Sequence, residues 1–558
     1  AYPVASSAAR QAVIDAVLSF QWPDASDEHA EERTMWEHFN WLDWLRSADS
    51  SCALLQVALT PIKSAYPQWK AHDYPDLTHW GSTSLGGPES PWTVEQLLAK
   101  TPSQQMDDLL SFKGNTFEGP DRYGLIAAVS EACKQRFQWA FQLDETLTER
   151  GLWTSDLWPP VLRGWRDAEL TRDEWNTMFQ RIARREVHTE HPHDVASLLY
   201  LLVRDGGKPF ALELLNDANS IAIDVWRALK QEDAVEEIND WLSQAINRPA
   251  GVLVEFWING LSLAMRGKSG AERMLPDEHR RWLTAVVQDE TVAGGLGRSV
   301  LASWTAFLFG LDEAWTREYI IPLFSEQDRQ KFAQAWDGFL VWGQLCPALT
   351  EELLPAFIDA LPRLDADLLD RRIRFIQFFT ALAVFHTDDP TQQLLPALFE
   401  HGTLEDRIGF ATQIGFFLSQ MQADTKQRLW DRWLHRYWQD RLQSVPAPLV
   451  EAEAKRMLEW LAHMGEAFPI AVQLATRGAP LALEHSHLLH ELRDSDLVTR
   501  FQKATAQLLI FICAGNVPHY FCQDMQVIAS RLTADVLGDE LHRSLREAMA
   551  RAGCISSA

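Results

Sequence analysis

One stretch, residues 294–342 (GGLGRSVLASWTAFLFGLDEAWTREYIIPLFSEQDRQKFAQAWDGFLVW), constrains the fold more than any other part of the chain. Val300, Leu301, Trp304, Phe307 and Leu308 fall on one wide apolar stripe at helical period. Gly310 stands where a left-handed C-terminal cap is wanted, and Asp312 can cap the helix that follows. Ser325 can cap a third helix, whose stripe is Phe332, Trp336, Phe339 and Leu340. Helices this short and one-sided are not stable alone, so each must lean on its neighbours.

The rest of the chain renews this pattern. Residues 1–70 read as three or four helices, among them 8–20 and 27–46, the second carrying Trp36, Phe39, Trp41 and Trp44. From 71 to 92 the period is lost in a Gly, Pro, Ser and Thr-rich connection that includes Trp80, longer than ordinary loops and the best internal boundary. Helical pattern then returns, with capping boxes at Thr101–Gln104 and Thr171–Glu174. It continues through 249–266, 276–289, 349–363, 365–386, 403–421, 424–443, 521–535 and 538–552. Strand alternation and hairpin signals are nearly absent, and Asn259-Gly260 reads as a kink or close contact inside a helix. The expected fold is all-α: an irregular α-solenoid of stacked helix pairs in units of roughly 40 residues, similar to HEAT arrays. The expected organisation is a helical segment 1–70, a loop 71–92, a first array 93–290 and a second array 291–558, two or three subdomains in all.

Composition limits the function. A net charge of −26, from 77 acidic and 51 basic residues, repels phosphate backbones and disfavours a nucleic-acid partner. The basic clusters Arg181, Arg184, Arg185 and Arg371, Arg372, Arg374 then read as solvated faces or ion pairs. The six cysteines, at 52, 133, 346, 513, 522 and 554, have no CxxC spacing, which predicts buried free thiols in a reducing cytoplasm, not a disulfide framework. No run approaches 18 apolar residues, so no membrane span is expected. The opening AYPVASSAAR has neither a secretory pattern nor an initiator Met, and the chain is expected to be a fragment.

No motif supplies a chemistry. Gly267-Lys268-Ser269 has Ser262 where a phosphate loop needs glycine and no strand before it, so it reads as a turn. Gly294-Gly295-Leu296-Gly297 lacks the preceding strand of a dinucleotide fingerprint and reads as a helix-start loop. His188, His191 and His193 with Asp194, and His485, His487 and His490 with Glu491, are the histidine clusters a metal would need to explain. His485 points away from the face that His487 and His490 share, so one helix does not complete a zinc shell. Glu453-Ala454-Lys455 resembles the end of a nuclease motif but lies in helical pattern. Trp430, Trp433, Tyr437 and Trp438 read as a packing face rimmed by Arg432, Arg436 and Arg441, with cation–π support expected there. No catalytic, cofactor-binding or metal residue is assigned, and no cofactor is expected.

Several segments together do resemble a known family: SPWTVEQLLAK with the loop before it, SDLWPPVLRGWRDAEL, INRPAGVLVEFWINGLSL, GLGRSVLASWTAFLFGLDEAWTREYIIPLF, RLWDRWLHRYWQDRL and AKRMLEWLAHMGEAFPIAV. They look like the large helical C-terminal region, of unknown function, in bacterial sirtuin-like proteins of antiphage defence, over most of residues 65–535. The resemblance implies a cytoplasmic, non-enzymatic sensor or scaffold module that binds a protein partner, such as a phage protein trigger. It would regulate an NAD-hydrolysing sirtuin-like domain not present in this chain, and oligomers are compatible with it. Two alternatives stay open: a helix-bundle enzyme with a metal-assisted site near His188 to Asp194, and a general protein-interaction solenoid.

Overall fold

Short amphipathic helices with few long connections fold here into two compact units, residues 1–198 and 199–558. The computed structural model describes residues 2–23, 29–71, 75, 89–114, 119–229, 238–482 and 487–555. Among the described residues the regular structure is helical, and the isolated β-bridge between Gly114 and Asp121 belongs to no strand. Trp80 and most of the 71–92 connection lie outside the described residues.

The first unit begins with three helices, α1 (Ser7–Leu18), α2 (Ala30–Ala48) and α3 (Ala53–Ala65), that pack mutually. Ile14, Trp36, Phe39, Leu42, Leu55 and Leu59 form their core. Trp69 closes it, edge-on to Trp36 with ring centroids 4.9 Å apart and stacked on Tyr66 at 3.8 Å. Both capping boxes form as expected: Thr101 N–H donates to Gln104 Oε1 at 3.0 Å and Thr171 N–H to Glu174 Oε2 at 2.8 Å. Trp158, Trp165 and Trp175 are fully buried, large apolar anchors for helices too thin to make a core from aliphatics alone.

The second unit is held by a periodic device. Side chains on one helix bond to a helix about one repeat away: Arg298 Nε to Gln334 Oε1 (2.7 Å), Arg371 Nε to Asp337 Oδ1 (2.5 Å), Arg374 Nε to the Leu340 carbonyl (2.9 Å) and Arg372 Nε to Asp406 Oδ1 (2.7 Å). Their sequence separations are 36, 34, 34 and 34 residues. The pairs advance together along both partners, as do Gly409 beside Ile376 and Phe417 beside Phe385 (4.9 Å). The helices Val292–Ser303, Arg329–Trp342, Arg372–Ala381 and Leu404–Gln420 therefore stack in parallel, each on the one before. Helices on either side of residue 290 pack together within this unit.

The organising stretch departs from its expected form in detail. Its first helix is two, Val292–Ser303 and Thr305–Leu311, bent by 74° because Trp304 leaves helical backbone geometry. Gly310 lies inside the second helix and is not a left-handed cap; Asp312 ends that helix and caps the next through Trp315 N–H at 3.0 Å. The cap of the third helix is Asp328, not Ser325: its Oδ1 accepts from Gln330 and Lys331 N–H, while Ser325 closes a 3-10 turn. The buried stripe Phe332, Trp336, Phe339 and Leu340 is as expected. Gly294, Gly295 and Gly297 are within the first turns of a helix, not in a loop before it, and a Cβ at each would strike Asp289, Trp241 or Val286. Asn259-Gly260 lies in the uninterrupted helix Pro249–Ala264, with Gly260 close to Leu215. The 424–443 segment carries a π turn at Trp430–Leu434 between two α-helices.

The cysteines correct another expectation. Cys522 and Cys554 are joined in a disulfide, whereas Cys52 and Cys133 are buried free thiols and Cys346 and Cys513 half-buried ones. The two bonded residues are 32 positions apart, and it is the last helix, Asp539–Arg551, that returns Cys554 to the start of Cys522–Ser530. Spacing without a short motif hides such a pair. Among the described residues no single helix is long and apolar enough to cross a membrane.

Candidate interaction groove

Most charges that sequence reading raised are spent inside the fold. Arg371 bonds Asp337 and, through Nη2, Asp240 at 2.8 Å; Arg372 bonds Asp406 and Asp365; Arg374 bonds a backbone carbonyl. Arg181 reaches Glu145 at 2.9 Å, and Arg184 reaches the fully buried Asp144. Four of the six clustered arginines, Arg181, Arg184, Arg371 and Arg372, are thus ion-paired between helices. Burial holds the Asp337 carboxyl above the usual range, against the opposing pull of the Leu242 amide and Arg371. These groups border a cleft of about 290 Å³ lined by Asn239, Trp241, Gln330, Asp367 and Arg371. Two of its acids are already bonded to its arginines, Asp337 to Arg371 at 2.5 Å and Asp367 to Arg329 at 2.9 Å.

The other motifs are also structural in their contacts. Trp430, Trp433, Tyr437 and Trp438 are all buried and pack on Phe410 and Trp460, a core face as expected. The cation–π contact near them differs from the expected one: the Arg441 guanidinium stands over Phe399, 4.6 Å from its centroid, and not over the run. Glu453 is helical and fully buried against Arg441. Gly267-Lys268-Ser269 is a turn, with Gly267 at φ +74°. His191 Nε2 is 2.8 Å from the Trp153 carbonyl, and His188 is buried on the Arg185–Glu190 helix. His485 lies outside the described residues. Among the described residues no group of three or more His, Cys, Asp or Glu side chains is placed to hold a metal.

Buried carboxyls escaped the sequence reading, Glu255 among them. Glu255 accepts from Trp304 Nε1 at 3.2 Å and from Asn259 Nδ2 at 3.0 Å, both neutral donors. Burial raises its pKa, with those two bonds opposing. Asn259 is one helical turn from Glu255, whereas Trp304 is 49 residues away and local periodicity carries no trace of that bond.

One recess among the described residues is strongly apolar. Between α1 and α2 lies a groove of about 600 Å³, lined by Val13, Val17, Phe20, Trp41, Trp44 and Leu45, with Glu37 and His38 at its side. Helical geometry explains it. At about 100° per residue, Trp41 and Trp44 sit roughly 80–140° around α2 from Trp36, so α2 carries a second apolar face beside its core face. Trp36 and Phe39 turn into the three-helix core; Trp44 (41% exposed), Val13 (40%) and Phe20 (40%) line the groove's open lip. His38 Nε2, 3.0 Å from the Phe20 carbonyl, ties the residues after α1 to α2.

Among the described residues the fold is all-α, with buried ionisable groups bonded between packed helices and an apolar groove between α1 and α2. Within the chain, residues 379–543 match the model of a domain of unknown function, DUF4020, a span that takes in Asp406 and the helix Leu404–Gln420. No curated protein matches the chain.

Proposed function

We propose that this chain is a non-enzymatic α-solenoid scaffold of a bacterial antiphage defence protein. In this reading it binds a protein partner and regulates an NAD-hydrolysing sirtuin-like domain, with a phage protein as the trigger, in the cytoplasm. The observation that supports the partner-binding part is the apolar groove between α1 and α2, with the exposed Trp44, Val13 and Phe20 at its lip, since exposed apolar patches of this kind are where proteins meet partners. Parallel helices bonded at intervals near 34 residues support the solenoid, an architecture suited to holding and touching. The defence and NAD parts rest on the sequence resemblance.

The test supplies a sirtuin-like NAD-hydrolysing domain in trans. The chain alone should release no nicotinamide from NAD, while its addition should change the domain's hydrolysis rate and co-purify with it. Turnover by the isolated chain, or a domain whose rate and elution ignore it, would remove this reading.

A further inference from the structure

We infer that Arg407, together with the hydroxyl of Tyr437, forms a binding site for one small oxyanion, a carboxylate or a phosphate. The site is distinct from the apolar groove and does not rest on the scaffold reading. Two guanidiniums meet at one ring: Arg441 stands over Phe399 at 4.6 Å from its centroid and Arg407 at 5.5 Å. Three helices bring them together, Leu394–His401 with Phe399, Leu404–Gln420 with Arg407, and His435–Leu442 with Tyr437 and Arg441.

The two arginines differ in what they hold. All five N–H groups of Arg441 have acceptors: the two carboxylate oxygens of Glu453 and the carbonyls of Val445, Ala447 and Pro448. Arg407 pairs with no carboxylate among the described residues, and the acid beside it, Asp406, is held through both oxygens by Arg372. Two positive charges therefore face one negative charge at this ring, and the surplus sits on Arg407. Its Nε is buried without a hydrogen-bond partner among the described residues, and so is the Tyr437 hydroxyl, on a side chain only 3% exposed. Arg441, next to that hydroxyl, has no acceptor to give it, since a guanidinium only donates. Burial holds the Tyr437 phenol above its usual pKa; Glu453 adds to this, and the Arg441 and Arg407 guanidiniums oppose it.

Buried donors without acceptors, beside an unmatched positive charge, fit an acceptor that is itself negative. A guanidinium lying over a ring keeps its N–H edge for bonding, and that edge matches two oxygens of a carboxylate or phosphate, with the hydroxyl as a third donor. Water satisfies the hydrogen bonds but leaves the charge. Arg407 and Phe399 are half-buried, so the site is within reach of solvent. The chain's net −26 gives a free anion no general attraction, so binding depends on these local donors.

The experiment takes the full chain through urea melts in rising sodium phosphate or sodium acetate, against sodium chloride at equal ionic strength. Binding at a site stabilises with the logarithm of concentration, reaching about 10-fold in the folding equilibrium at about ten times the Kd. General salt effects are instead shared by parent and variants. Arg407→Gln should lose the site response; if it misfolds, Arg407→Lys, which keeps the charge but not the fork, should bind more weakly than the parent. Tyr437→Phe removes a buried hydroxyl that has no protein partner, so it should fold as well as the parent yet bind about 10-fold more weakly. A response to phosphate, to acetate or to both supports the site and says which oxyanion it takes. No response beyond that to chloride overturns the proposal and leaves the two donors to water. A response kept in full by the Arg407 variant, or an unchanged affinity in Tyr437→Phe, puts the anion elsewhere and overturns it as well.

Discussion

Arg441 and Glu453 form a bidentate ion pair from which water is excluded: both side chains are 0% exposed, with Nε–Oε1 at 2.8 Å and Nη2–Oε2 at 2.9 Å. The remaining guanidinium donors reach the carbonyls of Val445, Ala447 and Pro448, so one side chain fixes both the neighbouring helix and the loop between. Removing either partner strands the other charge in the interior. Arg441→Ala or Glu453→Ala should each cost about 3–5 kcal/mol, whereas Arg441→Met with Glu453→Met should cost clearly less than the two alanine losses added together. Urea transitions of the four proteins measure this. A double change as damaging as that sum would show the pair acting as two independent charges.

Gly338 faces the Ser299 backbone where the Val292–Ser303 and Arg329–Trp342 helices cross, and a Cβ there would lie inside the Ser299 carbonyl oxygen. Helix propensity alone favours alanine over glycine by up to about 1 kcal/mol, so the sign of the effect separates packing from propensity. Gly338→Ala should destabilise by about 1–3 kcal/mol or more through forced separation of the helices. Gly310→Ala, also helical but with no atom near its missing Cβ, should stabilise by up to about 1 kcal/mol. Thermal melts of the two variants should move in opposite directions.

Glu255 makes stability depend on pH with an unusual sign. Burial lifts its folded-state pKa above the ordinary 4.5, while the unfolded chain keeps the ordinary value. Between those two values the folded state holds the proton more tightly, so stability is fullest below 4.5 and falls as pH climbs through the raised value. The slope from this residue is at most about 1.4 kcal/mol per pH unit. Glu255→Gln has no proton to lose and should remove that decline, gaining on the parent as pH rises from 4.5. Parallel chemical melts of parent and variant at each pH give the difference directly; a constant gap would show that Glu255 does not titrate in this window.

Several features written within one turn of helix were legible in the sequence, although the Gly310 and Ser325 caps were not found where read. The Thr171–Glu174 box, the Trp336 stripe and the Asp312 cap each depend on residues three or four apart, and each is found as read. Features that join one repeat to the next were not. Arg371, Arg372 and Arg374 could be seen as a basic cluster, but their acceptors Asp337, Asp406 and the Leu340 carbonyl lie 34 residues off. The glycines at 294, 295 and 297 look like loop residues because close packing and loop freedom select the same side chain; only their neighbours Asp289, Trp241 and Val286 tell them apart. Trp304 kept the helical period on both sides of a 74° bend, which apolar spacing does not register. The groove was half visible: four aromatics in α2 are too many for one face, and the surplus pair, Trp41 and Trp44, marks it.

The Cys522–Cys554 disulfide yields the simplest count. Of six cysteines, four are free, so denatured chain kept from reductant should give four titratable thiols, and six after reduction. The bond closes a loop across 32 positions that contains the Ala534–Leu537 turn and the last helix. Cross-linking a loop of that length removes unfolded-state freedom worth roughly 3–4 kcal/mol. The loss on reduction should be local, because the helix Asp539–Arg551 leans chiefly on Gln502–Cys513 and the short turn before it. Hydrogen exchange should therefore quicken in 534–554 on adding a dithiol or in Cys554→Ser, while Arg372–Ala381 and Leu404–Gln420 keep their protection. Six thiols in the unreduced chain, or protection in 534–554 that ignores the dithiol, would mean that packing on Leu508, Leu545 and Met549 holds the terminal helix without the covalent bond.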